Sequence, residues 1–125
     1  METIKGMFTH VAVPAENFER AFQFYSAITD GMIHKNNNVP FPMAYFENER
    51  GEKIGHLFQL PNFIPSADGA IVYLGVLGDL NLALERIKAE GGKIIMNKTL
   101  ISPEKGFWGL FLDTEGNKLA VHSNE

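Results

Sequence analysis

The chain has 125 residues, 45% of them hydrophobic and 21% charged, enough apolar material for one globular domain with a real core. A formal net charge of −4 without a basic stripe excludes nucleic acid as a partner, and no run of about 18 apolar residues is present to span a membrane. With no Cys there can be no disulfide, thiolate metal site or Cys nucleophile; this, and the lack of a secretory leader in Met1–Gly6, fits a cytoplasmic protein.

Met7 to Pro14 alternates and is rich in β-branched and aromatic residues, which predicts a strand. Its period of two puts Thr9, Val11 and Val13 on one face and Phe8, His10 and Ala12 on the other. The aliphatic face should meet a helix, leaving His10 on the far side. Asn17 to Thr29 is that helix: Phe18, Ala21, Phe22 and Tyr25 form an apolar stripe, Asn17 is the N-cap and Gly31 ends it. Short strands follow at Met32–Lys35, Met43–Phe46 and Ile54–Leu60, separated by Asn36-Asn37-Asn38 and by the polar turn Glu49–Glu52.

Pro61 to Gly69, with two Pro and Asp68-Gly69, is a linker, and the pattern then restarts. Ala70–Leu77 is a strand and Asp79 caps a helix that runs to Glu90, where Gly91-Gly92 stops it. Lys93–Leu100, Phe107–Leu112 and Lys118–Ser123 are strands, the last two joined by the turn Asp113–Asn117. The helix stripe returns 62 residues on, as Leu80, Ala83, Leu84 and Ile87. The chain is thus one β-α-β-β-β unit used twice: module one over 7–60, a linker over 61–69 and module two over 70–123. Two copies are too few for a solenoid, and suit a pseudo-twofold pair of sheets.

That arrangement resembles the vicinal oxygen chelate superfamily, which includes glyoxalase I, extradiol dioxygenases, and fosfomycin and bleomycin resistance proteins. The strings that carry the resemblance are His10-Val11-Ala12-Val13, Glu19-Arg20-Ala21-Phe22-Gln23-Phe24-Tyr25, and Asp113-Thr114-Glu115-Gly116-Asn117 before Lys118-Leu119. The resemblance implies an α+β fold of two tandem βαβββ modules that form curled mixed sheets. It also implies a homodimer and cups that hold a divalent metal acting as a Lewis acid. In the enzymes the ligands come from the first and last strands of each unit. Carried over, those positions fall on His10 and Gly55 in module one, and on Val72 and Ala120 in module two, where metal-dependent lyases carry Glu at the last. Only His10 is a ligand type, whereas a catalytic site uses about three protein ligands and an open position.

Three functional readings follow. A cup binding a small organic molecule, with no cofactor expected, takes His10, Tyr45, Phe58, Trp108 and His122 as pocket residues. A metal-dependent lyase or dioxygenase-like enzyme takes His10 with a relocated set, His122 and a carboxylate such as Glu47, Glu49 or Glu104. A protein–protein module would leave the cup empty. Each residue also has a plain reading. His10 would be a hydrogen-bonded polar residue, His122 a terminal surface group, and Tyr45, Phe58 and Trp108 core aromatics. His56 is expected on the helix or edge side of its strand, and His34 in a solvated loop or edge.

Overall fold

A computed structural model of the chain describes residues 8–125; Met7, the expected first residue of the opening strand, and the Met1–Gly6 segment read for a leader lie outside the described residues. Module one contains β1 (Val11–Pro14), α1 (Phe18–Ile28), β2 (Ile33–Lys35), β3 (Met43–Glu47) and β4 (Lys53–Phe58). Module two contains β5 (Val72–Gly75), α2 (Leu80–Ala89), β6 (Lys93–Ser102), β7 (Gly106–Leu112) and β8 (Lys118–Ser123). The strands form two four-stranded mixed sheets with the orders β1-β4-β3-β2 and β5-β8-β7-β6. In each, the first and last strands pair in parallel and the others antiparallel. The expected pair of βαβββ modules is therefore the architecture observed. No described helix is long and apolar enough to cross a membrane.

Both helices start where their caps place them. Asn17 Oδ1 accepts from the Arg20 N–H at 3.1 Å, and Asp79 Oδ1 from the Asn81 N–H at 2.9 Å. On α2 the expected stripe is buried at Leu80, Leu84 and Ile87, with Ala83 half-buried. On α1 it differs by one residue. Phe24 is buried and Phe22 only half-buried, because α1 packs on its own sheet and also on module two, where Phe24 meets Phe111 at 6.1 Å. Phe22 instead stacks on Phe18 near the surface, under the Lys35 ammonium. One apolar core runs through both modules, from Val13, Phe18 and Leu57 to Leu84, Phe111 and Val121.

A polar clasp beside that core ties the turn before β8 to the start of α1. The Glu115 side chain is fully buried. Its Oε1 accepts from the backbone N–H groups of Glu16 (3.0 Å) and Asn17 (2.6 Å), and its Oε2 from Arg20 Nε and Thr114 Oγ1, both at 2.8 Å. A carboxylate here also faces the positive end of the helix dipole. Asn117 Nδ2 donates to the Pro14 carbonyl at 2.8 Å, and the buried Tyr25 hydroxyl donates to Asp113 Oδ2 at 2.6 Å. Burial pushes the Glu115 carboxyl up. The hydrogen bonds from Arg20, Asn17 and Thr114, with the Arg20 charge, outweigh it and leave the group below the ordinary carboxylate range.

Candidate functional site

Four of the residues singled out in the sequence, His10, Tyr45, Trp108 and His122, lie on the open faces of the two sheets, in two clusters. In sheet one, strand register places Ala12 and Tyr45 on either side of His56. Directly opposed residues share a face, so His56 looks to the open side rather than to the helix or the edge as expected. The reason is a register shift at the hairpin end of β4, where Gly55 pairs with Phe46 but Lys53 with Glu47. One extra residue there exchanges the two faces of the strand. Gly55, the expected ligand position, consequently turns inward. It lies so close to β1 that an added Cβ would fall 2.6 Å from the Val11 carbonyl oxygen.

His56 and His10 make a direct contact. His10 Nε2 lies 2.6 Å from His56 Nδ1, with the ring centroids 4.9 Å apart. Such a bond needs one nitrogen protonated and the other bare. The Tyr45 ring stands edge-on to both imidazoles at 6.4 Å, and the Lys53 ammonium lies 4.9 Å from the centre of that ring. Burial, and then the neighbouring His10, lowers the basicity of His56 below that of free imidazole. Phe58 continues the row but is 5% exposed and lies under Phe63 at 5.2 Å, so it forms a floor rather than an open wall. His34 is exposed and pairs with Glu47 at 2.8 Å, at the edge of the sheet as expected.

The second cluster belongs to sheet two. Val72, the other expected ligand position, packs against the core beside Leu119. The connection from strand to helix is one residue longer in module two, Val76–Asp79 against Ala15–Asn17. The helix repeat therefore misses the strand face by one, and Tyr73 takes the open side. Its ring stacks on Trp108 with an interplanar angle of 4° and centroids 5.6 Å apart. Register sets Tyr73 beside Ala120, and Trp108 beside His122. The stack therefore crosses β8 diagonally, over the small and fully buried Ala120.

His122 Nε2 lies 2.5 Å from the Lys105 carbonyl oxygen. A carbonyl only accepts, so Nε2 carries the hydrogen, and in the neutral ring Nδ1 keeps a free lone pair. The Lys105 N–H donates to Ser102 Oγ at 3.0 Å. The turn between β6 and β7 is thereby pinned on both sides of Lys105. Tyr73, Leu100, Ile101, Lys105, Trp108 and His122 line an open cavity of about 490 Å³. None of His10, Tyr45 and Phe58 reaches it. The chain thus brings Trp108 and His122 together, and His10 and Tyr45 together, but does not join the two pairs. Tyr73 and Lys105 were not among the expected site residues. Strand alternation alone, with Val72, Leu74 and Val76 to the core, would have found Tyr73; nothing local marks Lys105.

The architecture has well-matched precedents. A glyoxalase/bleomycin resistance protein from Albidiferax ferrireducens superposes with a TM-score of 0.72, covering 96% of this chain and all of that one, at 16% identity. This is the vicinal oxygen chelate fold. The same fold is matched in a fosfomycin resistance protein, FosX, from Listeria monocytogenes, solved with Mn(II) and dihydroxypropylphosphonic acid. There the TM-score is 0.71, the identity 13%, and the shares covered 98% and 95%. In sequence, a glyoxylase-like domain-containing protein of Didymella fabae is 25% identical over 123 residues, 94% of each chain. No protein-family model matches this chain. On the vicinal oxygen chelate fold as built here, the strands expected to carry ligands bring His10 and His56 to one open face, and Tyr73, Ala120 and His122 to the other. Among the described residues no group of three or more His, Cys, Asp and Glu is placed to hold a metal ion.

Proposed function

We propose that the chain binds a small organic molecule against the stacked rings of Tyr73 and Trp108, on the open face of sheet two. The observation that carries this is the stack itself, half-exposed in a cavity of about 490 Å³, a size that suits one small ligand. A buried aromatic pair would be core; this one has Tyr73 half exposed to solvent. Trp108 is the only Trp in the sequence, so its fluorescence reports on this cavity alone. Titration with a panel of aromatic metabolites should give saturable quenching by some, and a rise in Tm with the same compounds. Absence of both across the panel would defeat the reading.

A homodimer belongs to the same proposal. Each sheet leaves apolar groups in the open, among them Ile54, Tyr73 and Leu100, and a second copy would cover them. Pairing sheet one of one copy with sheet two of the other would set His10, Tyr45 and His56 opposite Tyr73, Trp108 and His122. Sedimentation equilibrium decides it, with a monomer at all concentrations as the failing result.

A second reading, a metal-dependent lyase or dioxygenase-like activity, is favoured by the contact between His10 and His56 and by the Mn(II) of the structurally similar FosX. Two imidazoles fit part of a divalent-metal site, and the third ligand is not assembled among the described residues of one chain. Calorimetric titration of the untagged protein with Zn²⁺, Ni²⁺, Mn²⁺ and Fe²⁺ tests it. Stoichiometric binding lost in His10→Ala would support it, and no binding would remove it.

A further inference from the structure

The charge at the rim of the second cavity narrows the kind of molecule it takes. Among the described residues Lys105 is the one charged group in the lining, and no described carboxylate lines the cavity with it. Its side chain is exposed, but its backbone is held on both sides, by Ser102 Oγ at its N–H and by His122 Nε2 at its carbonyl. The next residue, Gly106, has a φ of +83°, and a Cβ there would strike the Ser123 carbonyl oxygen. The turn therefore has one geometry, anchored to the end of β8, and it keeps the root of the Lys105 side chain at the cavity. This cation stands out in a chain of net charge −4, so the attraction it exerts is local. The wall beside it is aromatic, since the parallel stacked rings of Tyr73 and Trp108 both line the cavity. Leu100 and Ile101 close another side with aliphatic carbon.

From this, and resting on the reading of the cavity as a small-molecule site, we propose that the occupant is a planar aromatic carboxylate. Its ring system packs against the Tyr73–Trp108 stack and its carboxylate meets the Lys105 ammonium. His122 Nδ1, the ring nitrogen turned away from the Lys105 carbonyl, accepts a hydrogen bond from a hydroxyl or N–H on the same molecule. A polar aliphatic acid has no use for the aromatic wall, and an aromatic amine meets a like charge.

The test compares three probes on the full chain by Trp108 fluorescence and calorimetry: 2-naphthoate, its neutral isostere 2-naphthamide, and cyclohexanecarboxylate. Naphthoate should bind about two- to fivefold more tightly than the amide, the range open to a partly solvated ion pair, and cyclohexanecarboxylate should bind weakest. Lys105→Gln should bring naphthoate down to the amide without changing the amide itself. Salt should erode the naphthoate preference alone. Tyr73→Leu should weaken both aromatic probes, with far-UV circular dichroism confirming that the variant is folded. If the amide binds as well as the acid, or Lys105→Gln leaves the preference in place, the proposal fails while the aromatic cavity stands. If neither aromatic probe binds at millimolar concentration, both fall together.

Discussion

Replacing Glu115 with Ala tests the clasp that joins the modules. The side chain is fully buried, and its Oε1 takes two backbone N–H groups at the start of α1, from Glu16 and Asn17. Each buried donor left without an acceptor costs about 1–3 kcal/mol, and water entering the vacated space recovers part of that. The pair to Arg20 is left out of the sum, since that guanidinium is half exposed and regains water. The expected loss is about 3 kcal/mol, or a fall in Tm of about 10 °C for a chain of this size. Glu115→Gln keeps an oxygen for the two N–H groups but loses the charge and sets an amide NH2 where Oε2 accepted from Arg20 and Thr114, so it should lose about 1–2 kcal/mol. Urea unfolding at neutral pH measures both. The carboxyl sits below its ordinary range in the fold and at its ordinary value when unfolded. Its ionic contribution is therefore complete above the unfolded pKa and is lost as pH falls through the folded one. The gap between the parent and Glu115→Gln should close toward pH 3. A loss under about 1 kcal/mol for Glu115→Ala, or a Gln gap that ignores pH, would refute the reasoning.

Three further outcomes are expected. Tyr25→Phe removes the buried hydroxyl that donates to Asp113 Oδ2, and should lower stability by about 1.5–3 kcal/mol in the same urea assay. Gly55→Ala forces a methyl group against the Val11 carbonyl oxygen and should cost about 1–3 kcal/mol. It should also shift the His10 and His56 ring resonances in NMR spectra, as β1 moves away from β4. Ala120→Glu pushes a carboxylate up beneath the Tyr73–Trp108 stack, so Trp108 emission should move to longer wavelength and binding of aromatic probes should weaken.

The helices and strands were legible in the sequence because their causes are local. Asn17 and Asp79 cap the turns that follow them, and the apolar spacing from Phe18 and from Leu80 each describes one helix face. The internal repeat carried this through to the two-module architecture. What it could not carry was the face of each outer strand. The repeat is most regular in the helices, whereas strand faces depend on every residue counted between. One extra residue at the hairpin end of β4 turned His56 outward and Gly55 inward, and one in the connection before α2 did the same for Tyr73 and Val72. His10 was placed on an open face by alternation along its segment, and Trp108 and His122 stand side by side on the other open face through the register of β7 and β8. Lys105 and the partners of Glu115 were out of reach. Lys105 is placed by a contact to β8, and Glu115 by partners 95 to 99 residues away in sequence. No short-range pattern encodes such distances.

The clasp is also one-directional. Glu115 and Asn117 reach from module two to the entrance of α1, and Asp113 to Tyr25 further along it, while among the described residues the equivalent turn in module one bonds within itself. There Asn48 accepts the N–H groups of Arg50 and Glu52, and its amide donates to Glu52. The entrance of α2 is served by its own Asp79, with Lys98 beside it. The two halves of the repeat have thus become socket and plug. A chain built from two copies of module one would have two sockets, and one built from two copies of module two would have two plugs. Only the unlike pair completes the joint, so the halves have lost their interchangeability even where their outlines still match.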